Sequence, residues 1–305
     1  MTDLIDVPVI DAHHHLTKLD IGYPWLAPEA PTDRYHGDDR QLRRDYPLEQ
    51  YLADAQDLPL IGSVHIENGA SDPIAEARWI GGIIADHSPI PAAHVARADL
   101  TAPDATRLLD ELAQMPHVRG IRHILNWHSD PRISHTSHPG IMNEPTWRSS
   151  FARLARLGLS FDLQVFAEQL ADAARLAGEH PGTTIILDHA GMPLSREPGY
   201  LRAWEDGLRA LARHENVTVK ISALGTTDHR WTLDSVGPLV DRTIQAFGPE
   251  RVMFASNFPV DGMYSSLSHL YRAFGAIAAG YTRQERADMF GRTAARTYRL
   301  AVPGL

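Results

Sequence analysis

Val9-Ile10-Asp11-Ala12-His13-His14-His15 is the stretch on which the fold of this chain turns. It opens as an apolar, β-branched run and finishes in three consecutive histidines. A strand buried on both faces has no packing reason to end that way, so its last residues are expected to enter a site. Alternate side chains of a strand share a face, which aims His13 and His15 one way and His14 the other. Asp11 falls on the face of His13 and His15, one pleat deeper, where a carboxylate can accept a ring N–H and fix its tautomer. Taken alone, a His-x-His pair is more often a solvated cluster at the start of a loop.

Working outward, seven more short apolar runs follow at residues 60–67, 92–100, 118–126, 159–166, 183–189, 217–223 and 251–257. Segments of helical period lie between them. Residues 103–115 open with Pro103 in the first turn and carry Leu108, Leu109 and Leu112 on one face. Residues 168–179, 201–213, 234–247 and 265–279 repeat the pattern, and 283–300 close the chain as a helix. Alternating strand and helix argues for parallel βαβ units. Eight of them favour one closed α/β domain, a (β/α)8 TIM barrel over residues 1–305, against an open doubly wound sheet. Two long loops, 16–46 with Tyr23, Trp25 and Tyr35 and 127–147 with His128, His135 and His138, follow strand ends. That is the face on which such barrels place their chemistry.

Composition narrows the partners. The chain has 305 residues, 43% of them hydrophobic, enough for one sizeable core. Its net charge of −9, from 29 basic and 38 acidic residues, speaks against nucleic acid and leaves a small-molecule substrate as the expected partner, with room for a homo-oligomer. No window approaches the ~18 uninterrupted apolar residues of a membrane helix, so no membrane partner is expected. The acidic start, Met1-Thr2-Asp3-Leu4-Ile5-Asp6, lacks the basic and apolar regions of a signal peptide and points to the cytoplasm. With no cysteine and 17 histidines, a metal ion would have to be held by imidazole, carboxylate or neutral oxygen.

Other strand ends add candidates. Ile185-Ile186-Leu187-Asp188-His189 stops abruptly in an acid and a histidine, making His189 a third metal ligand or a general acid/base. The last run ends Ala255-Ser256-Asn257-Phe258-Pro259-Val260-Asp261, with Asn257 facing the mouth and Asp261 in the loop. Arg122, inside an otherwise apolar run, needs acceptors to justify its burial: a substrate carboxylate or carbonyl, or an internal partner such as Glu67. Lys220 and Ser222 share a face and pose the same choice, which for Lys220 leans to structure.

Several segments carry a family resemblance. Asp11-Ala12-His13-His14-His15, Gly120-Ile121-Arg122-His123, Phe161-Asp162-Leu163-Gln164 and Leu187-Asp188-His189-Ala190-Gly191 resemble the amidohydrolase-2 group of the amidohydrolase superfamily. So do Val219-Lys220-Ile221-Ser222, Phe254-Ala255-Ser256-Asn257-Phe258-Pro259 and Gly291-Arg292-Thr293-Ala294-Ala295-Arg296-Thr297-Tyr298, in family order. Within the group the chain looks most like the sugar-lactone and pyrone-dicarboxylate lactonases, which hydrolyse cyclic esters with a zinc ion or without metal. The resemblance implies His13, His15 and His189 as metal ligands and an acidic residue at the end of strand eight.

That last position is Asn257, which cannot act as a base near neutral pH, so Asp261, Asp188 and His189 become candidates for the role. Strand five ends near Gln164 instead of a histidine, and strand four offers Arg122 and His123 but no lysine to bridge two metals. One divalent ion, zinc, or none is therefore expected. The expected set is His189, Asp261 and Asn257 for catalysis, with Arg122, His123, Gln164 and Lys220 on the substrate. A metal-dependent decarboxylase and a barrel that only binds its ligand are the competing functions.

Overall fold

The computed structural model describes residues 5–305; residues 1–4, at the head of the acidic N-terminal stretch, lie outside the described residues. Eight strands form one sheet in sequential order: β1 (Val9–His14), β2 (Leu60–Ile66), β3 (Ala93–Arg97), β4 (Val118–Ile124), β5 (Ser160–Gln164), β6 (Ile185–Leu187), β7 (Val217–Ile221) and β8 (Val252–Phe254). Every pairing along the sheet is parallel. The sheet returns on itself just past β8, where the Asn257 N–H donates to the His13 carbonyl and the His15 N–H to that of Phe258, both at 2.7 Å. This is the (β/α)8 barrel that the alternation of strand and helix implies.

The surrounding helices are α1 (Leu48–Asp54), α2 (Pro73–His87), α3 (Ala105–Ala113), α4 (Pro145–Leu157), α5 (Leu170–Glu179), α6 (Pro198–Ala212), a single turn α7 (Leu224–Thr227), α8 (Leu233–Phe247), α9 (Leu267–Ile277), α10 (Arg283–Ala287) and α11 (Thr293–Tyr298). Four of them, α1, α2, α4 and the single turn α7, escape the period-based reading. In α2 the Gly81-Gly82 pair blurs the apolar stripe; a Cβ at Gly81 would stand 2.4 Å from the His117 ring. That helix announces itself by its cap instead: the Asp72 carboxylate accepts from the N–H groups of Ile74 and Ala75, and Pro73 opens the first turn. The helix expected over 283–300 is divided by a π-turn at Asp288–Arg292. No helix among the described residues is long and apolar enough to cross a membrane.

The barrel interior is filled by Ile10, Ala12, Val64, Ile66, Val95, Ile186, Met253 and Ala255, and Tyr298 of α11 packs against the same cluster. Asp11 does not share the face of His13 and His15. Asp11 pairs with Ser63 and His14 with His65, so β1 spends one residue more than β2 over this step. Such a bulge turns the in–out alternation over. Ile10 and Ala12 point inward before it, His13 and His15 after it. Asp11 instead accepts from the Ser256 N–H at 2.8 Å, the Ser256 hydroxyl at 2.6 Å and the Tyr51 hydroxyl at 2.8 Å, stitching β1 to the end of β8 and to α1.

Candidate active site

Strands β6, β7 and β8 end in left-handed backbone at non-glycine residues: His189 (φ 57°), Ala223 (φ 56°) and Asn257 (φ 55°). Each such residue costs on the order of 1–2 kcal/mol. All three line one cavity of about 640 Å³ at the C-terminal mouth of the barrel. Strain of this kind persists where surrounding bonds over-determine it. For Asn257 they include its N–H to the His13 carbonyl and its side-chain amide to Asp261 Oδ2 at 2.7 Å.

Of the two β1 histidines, His15 lines this cavity and His13 lies buried directly beneath it. His15 Nδ1 lies 2.9 Å from the Ile66 carbonyl, which accepts its proton and leaves Nε2 as a lone pair. That Nε2 is 3.3 Å from His13 Nε2 and 3.3 Å from Asn257 Oδ1. The bond from the Asn257 amide nitrogen to Asp261 leaves Oδ1 as the atom turned inward. Three ligand-type atoms therefore converge at spacings close to the edge of a zinc tetrahedron, about 3.3–3.4 Å for bonds of about 2.0–2.1 Å. His13 Nδ1 has a carboxylate on one side, Asp188 Oδ1 at 3.6 Å, and an ammonium on the other, Lys220 Nζ at 3.4 Å. Either tautomer of His13 is served, so the slot between the two Nε2 atoms suits a proton or a metal ion.

His189 joins from β6. Its ring centroid lies 4.7 Å from that of His13, and its Nδ1 is 2.8 Å from the Ser222 hydroxyl. Ligand atoms of His13, Asp188 and His189 all fall within 4.8 Å of one another. Burial keeps these rings neutral: His15 is pushed down to about 4, His189 to about 3, and His13 well below its usual value.

Below the histidines lies a closed ionic layer. Lys220 is wholly buried, pairs with Asp162, and sits 3.1 Å from Asp188 Oδ1. The Tyr298 hydroxyl donates to Asp162 Oδ1 at 2.6 Å, so α11 seals the floor. Burial alone would raise the Asp188 carboxyl, but the Lys220 ammonium and His13 hold it well below the usual carboxylate range. Lys220 does not line the cavity, and the expectation that it binds substrate gives way to this internal neutralisation.

Arg122 does line the cavity, and it has both kinds of partner. Its Nε donates to Glu67 Oε1 at 2.6 Å, one terminal nitrogen to the Glu67 carbonyl at 2.6 Å and the other to Gln164 Oε1 at 3.0 Å. That last nitrogen is also 3.5 Å from His13 Nε2. Gln164 and His123 line the cavity as well. His123 Nδ1 accepts from the Leu100 N–H and the Trp147 indole, both at 3.3 Å, which leaves its Nε2 proton turned toward Asp99, 3.7 Å away. Asp261 stands behind Asn257, outside the cavity lining, and its second oxygen accepts from the Gly225 N–H at 3.2 Å. Burial pushes its carboxyl up to about 7.

The structure thus gathers His13, His15, His189, Asn257, Arg122, Gln164 and His123 at one mouth, with Asp261 a single residue behind. Sequence reasoning left Asp188 among candidate bases and missed the metal-type cluster it forms with His13. Adjacency to His189 was the available signal. Of the residues of loop 16–46 that line the cavity, Trp25 and Tyr35 stood out in the sequence as loop aromatics, whereas Arg34 and His36 carried no pattern.

A family model described as amidohydrolase matches residues 10–300. The chain belongs to the amidohydrolase family. The uncharacterized protein y4mH of Sinorhizobium fredii is 38% identical to it over 298 residues, 97% of this chain and 99% of that protein. An L-fucono-1,5-lactonase of Burkholderia multivorans is 28% identical over 311 residues, 96% of this chain and 97% of its own. The crystal structure of a Burkholderia multivorans amidohydrolase with bound zinc aligns at a TM-score of 0.80 and 27% identity, covering 97% of this chain and all (100%) of that one. In this amidohydrolase the donor set is two convergent imidazole nitrogens, an amide oxygen and the nearby Asp188 and His189. Its two neighbouring cations are already neutralised, Arg122 by Glu67 and Lys220 by Asp162 and Asp188. These residues fit one divalent ion.

Proposed function

We propose that this amidohydrolase hydrolyses small lactones by attack of water on the ring carbonyl. The observation that carries the proposal is the convergence of His13 Nε2, His15 Nε2 and Asn257 Oδ1 at the base of a cavity large enough for a single sugar-sized ring. The likeness to an L-fucono-1,5-lactonase over nearly the whole chain supports the choice of a cyclic ester.

His13 and His15, with Asn257 Oδ1 beside them, would hold one zinc ion. Such an ion supplies Lewis-acid polarisation of the carbonyl and a water acidified toward a pKa of about 7. Asp261 is a positioning residue: its carboxylate fixes the Asn257 amide so that the oxygen, not the nitrogen, faces His15. His189 takes the proton of the attacking water. Its ring lines the cavity, Ser222 fixes its Nδ1, and burial keeps it unprotonated at neutral pH. Arg122, anchored by Glu67 and Gln164, turns a guanidinium edge to the charge that develops on the carbonyl oxygen. His123 and Gln164 contact the ring substituents.

The cluster of His13, Asp188 and His189 favours a second role for His189, as a metal ligand. Zinc content separates the two. A His189→Ala protein that keeps its zinc but loses turnover makes His189 the base; one that loses zinc makes it a ligand. The activity itself is tested by proton release from a panel of aldonolactones, simple lactones and pyrone carboxylates. Turnover well above the His189→Ala control is expected, and silence of the zinc-loaded wild type on every ring would sink the lactonase proposal.

A further inference from the structure

Loop 16–46 crosses the mouth of the barrel as a braced strap. Its hub is Asp39, wholly buried, whose carboxylate meets Arg34 Nε at 3.1 Å, His36 Nε2 at 3.4 Å and Arg43 at 3.0 Å. Arg43 also donates to the carbonyls of Ala27, Pro28 and Ala30 at 2.9, 2.8 and 2.8 Å, gathering the loop around itself. The far side of the barrel pins the strap tip. His229 Nε2 is 3.3 Å from the Tyr35 carbonyl, and the Tyr264 hydroxyl donates to the carbonyl of His36. So many contacts fix one short segment, residues 34–36, over the cavity.

Tyr35 is the residue this bracing delivers. Its ring is wedged edge-on among His36, His135 and Phe166, with centroids 5.1, 6.1 and 6.0 Å away. The side chain lines the cavity, yet its hydroxyl has no hydrogen-bond partner among the described residues. Arg122, Asp261 and Arg34 are the charges that act on the phenol, and Arg122 and Asn257 line the same cavity as Tyr35. Tyr35 is only partly buried, so its unpaired hydroxyl is open to water or to a ligand that fills the cavity.

We propose that Tyr35 is a catalytic residue: its phenol donates a proton to the ring oxygen that leaves when the lactone opens. The inference rests on the lactonase proposal. In balance, water adds its oxygen to the carbonyl carbon and gives one proton to His189. The acyl carbon–ring oxygen bond breaks, and the departing alkoxide takes the proton of Tyr35. The imidazolium of His189 then returns a proton to the phenolate through solvent in the open cavity. No oxidant or further reactant is needed. Burial pushes the phenol up to about 12, so at neutral pH it carries its proton before each cycle while remaining a stronger acid than an alkyl alcohol.

The test is Tyr35→Phe, which keeps the wedged ring and removes only an atom with no protein partner. Its melting temperature should match that of the wild type. The zinc-loaded protein is assayed with δ-valerolactone, which leaves as an alkoxide, and dihydrocoumarin, which leaves as a phenoxide and needs little acid assistance. On the alkyl ring kcat should fall about 100-fold with KM little changed, the lower range for a general acid. On the phenolic ring the loss should be a few-fold. Equal losses on both rings, or a rise in KM at unchanged kcat, would overturn the proposal, because a group that only fills space cannot sense the leaving group. Where the wild type opens only the alkyl ring, an unchanged kcat in Tyr35→Phe overturns it and a large fall with steady KM upholds it; where it opens only the phenolic ring, a few-fold loss upholds it and a large fall overturns it. A wild type silent on every lactone defeats the lactonase proposal itself, and this one with it, whatever the variant does.

Discussion

Two sets of histidines occupy the same corner of the barrel and differ in what their burial accomplishes. His13, His15 and His189 face the mouth; His14, His65 and His94 lie beneath the helices on the outer side of β1, β2 and β3. All six are buried and all are held neutral, with His14 and His94 pushed down to about 3 by burial. The outer rings meet one another: His14 stacks on Tyr51 with centroids 4.1 Å apart, and His65 Nδ1 lies 3.0 Å from His94 Nδ1. One nitrogen of each outer ring has no partner and faces no cavity. In the inner set, Ile66 and Ser222 hold the far nitrogens of His15 and His189, and free lone pairs converge on open space. A buried neutral histidine is therefore common currency in this protein. Convergence beside a cavity is what separates a site from a core.

The sharpest way to break that contrast is paired substitution. His15→Ala should lower kcat/KM about 10³-fold or more, within the range for loss of a group engaged in the reaction. His94→Gln should leave it within a few-fold, both measured by lactone hydrolysis with zinc present. Comparable losses would erase the distinction between the sets.

The outer set should show itself in acid stability, to which the inner rings, also held neutral, add their own share. Above about pH 6.5 these rings are neutral in both folded and unfolded chains and add no pH dependence. Below it the unfolded chain binds protons that the folded chain refuses until about pH 3 for His14 and His94. Folding stability should then fall by about 1.4 kcal/mol per pH unit for each such ring. Urea titrations at pH 7, 6 and 5 measure that slope, and His94→Gln should make it shallower by about one ring's share.

Within the inner set, Asp261→Asn frees the Asn257 amide to turn. A loss of about 10–100-fold in activity or zinc affinity is expected, as for other residues that orient a ligand. Retention of full zinc content and rate would show that Asn257 needs no such support. The smallest effect concerns strain. Ala223→Gly at φ 56° should stabilise the fold by about 0.5–1 kcal/mol in urea, since glycine adopts left-handed backbone freely.

The barrel was legible from the alternation of runs, because eight strands buried on both faces leave eight apolar stretches. Of the helices that escaped, α1, α2 and α4 carry their signal in Pro47, Asp72, Pro73 and Pro145, at caps and first turns, where an apolar period does not look. His13 and His15 were legible because a two-residue period survives any fold that keeps β1 extended. Asp11 was misplaced because a bulge inverts that period without leaving a mark in residue type. Lys220 could not be separated from substrate contacts by sequence, since its partner Asp162 is 58 residues away and reaches it only by lateral strand order. The strap that carries Tyr35 has no period at all; its order comes from one buried carboxylate and a fan of carbonyls.

The seam between β1 and the end of β8 has a consequence for biosynthesis. His15 and Asn257, which meet in the finished molecule, are separated by 242 residues of chain. At translation rates of about 5–20 residues per second, the first strand waits roughly 10–50 s for its last neighbour to emerge from the ribosome. Throughout that interval β1 has one unpaired edge, and edges of that kind invite pairing with other chains. The candidate site thus depends on one of the last strand ends to be made, and its first strand is the strand longest exposed to error in the meantime.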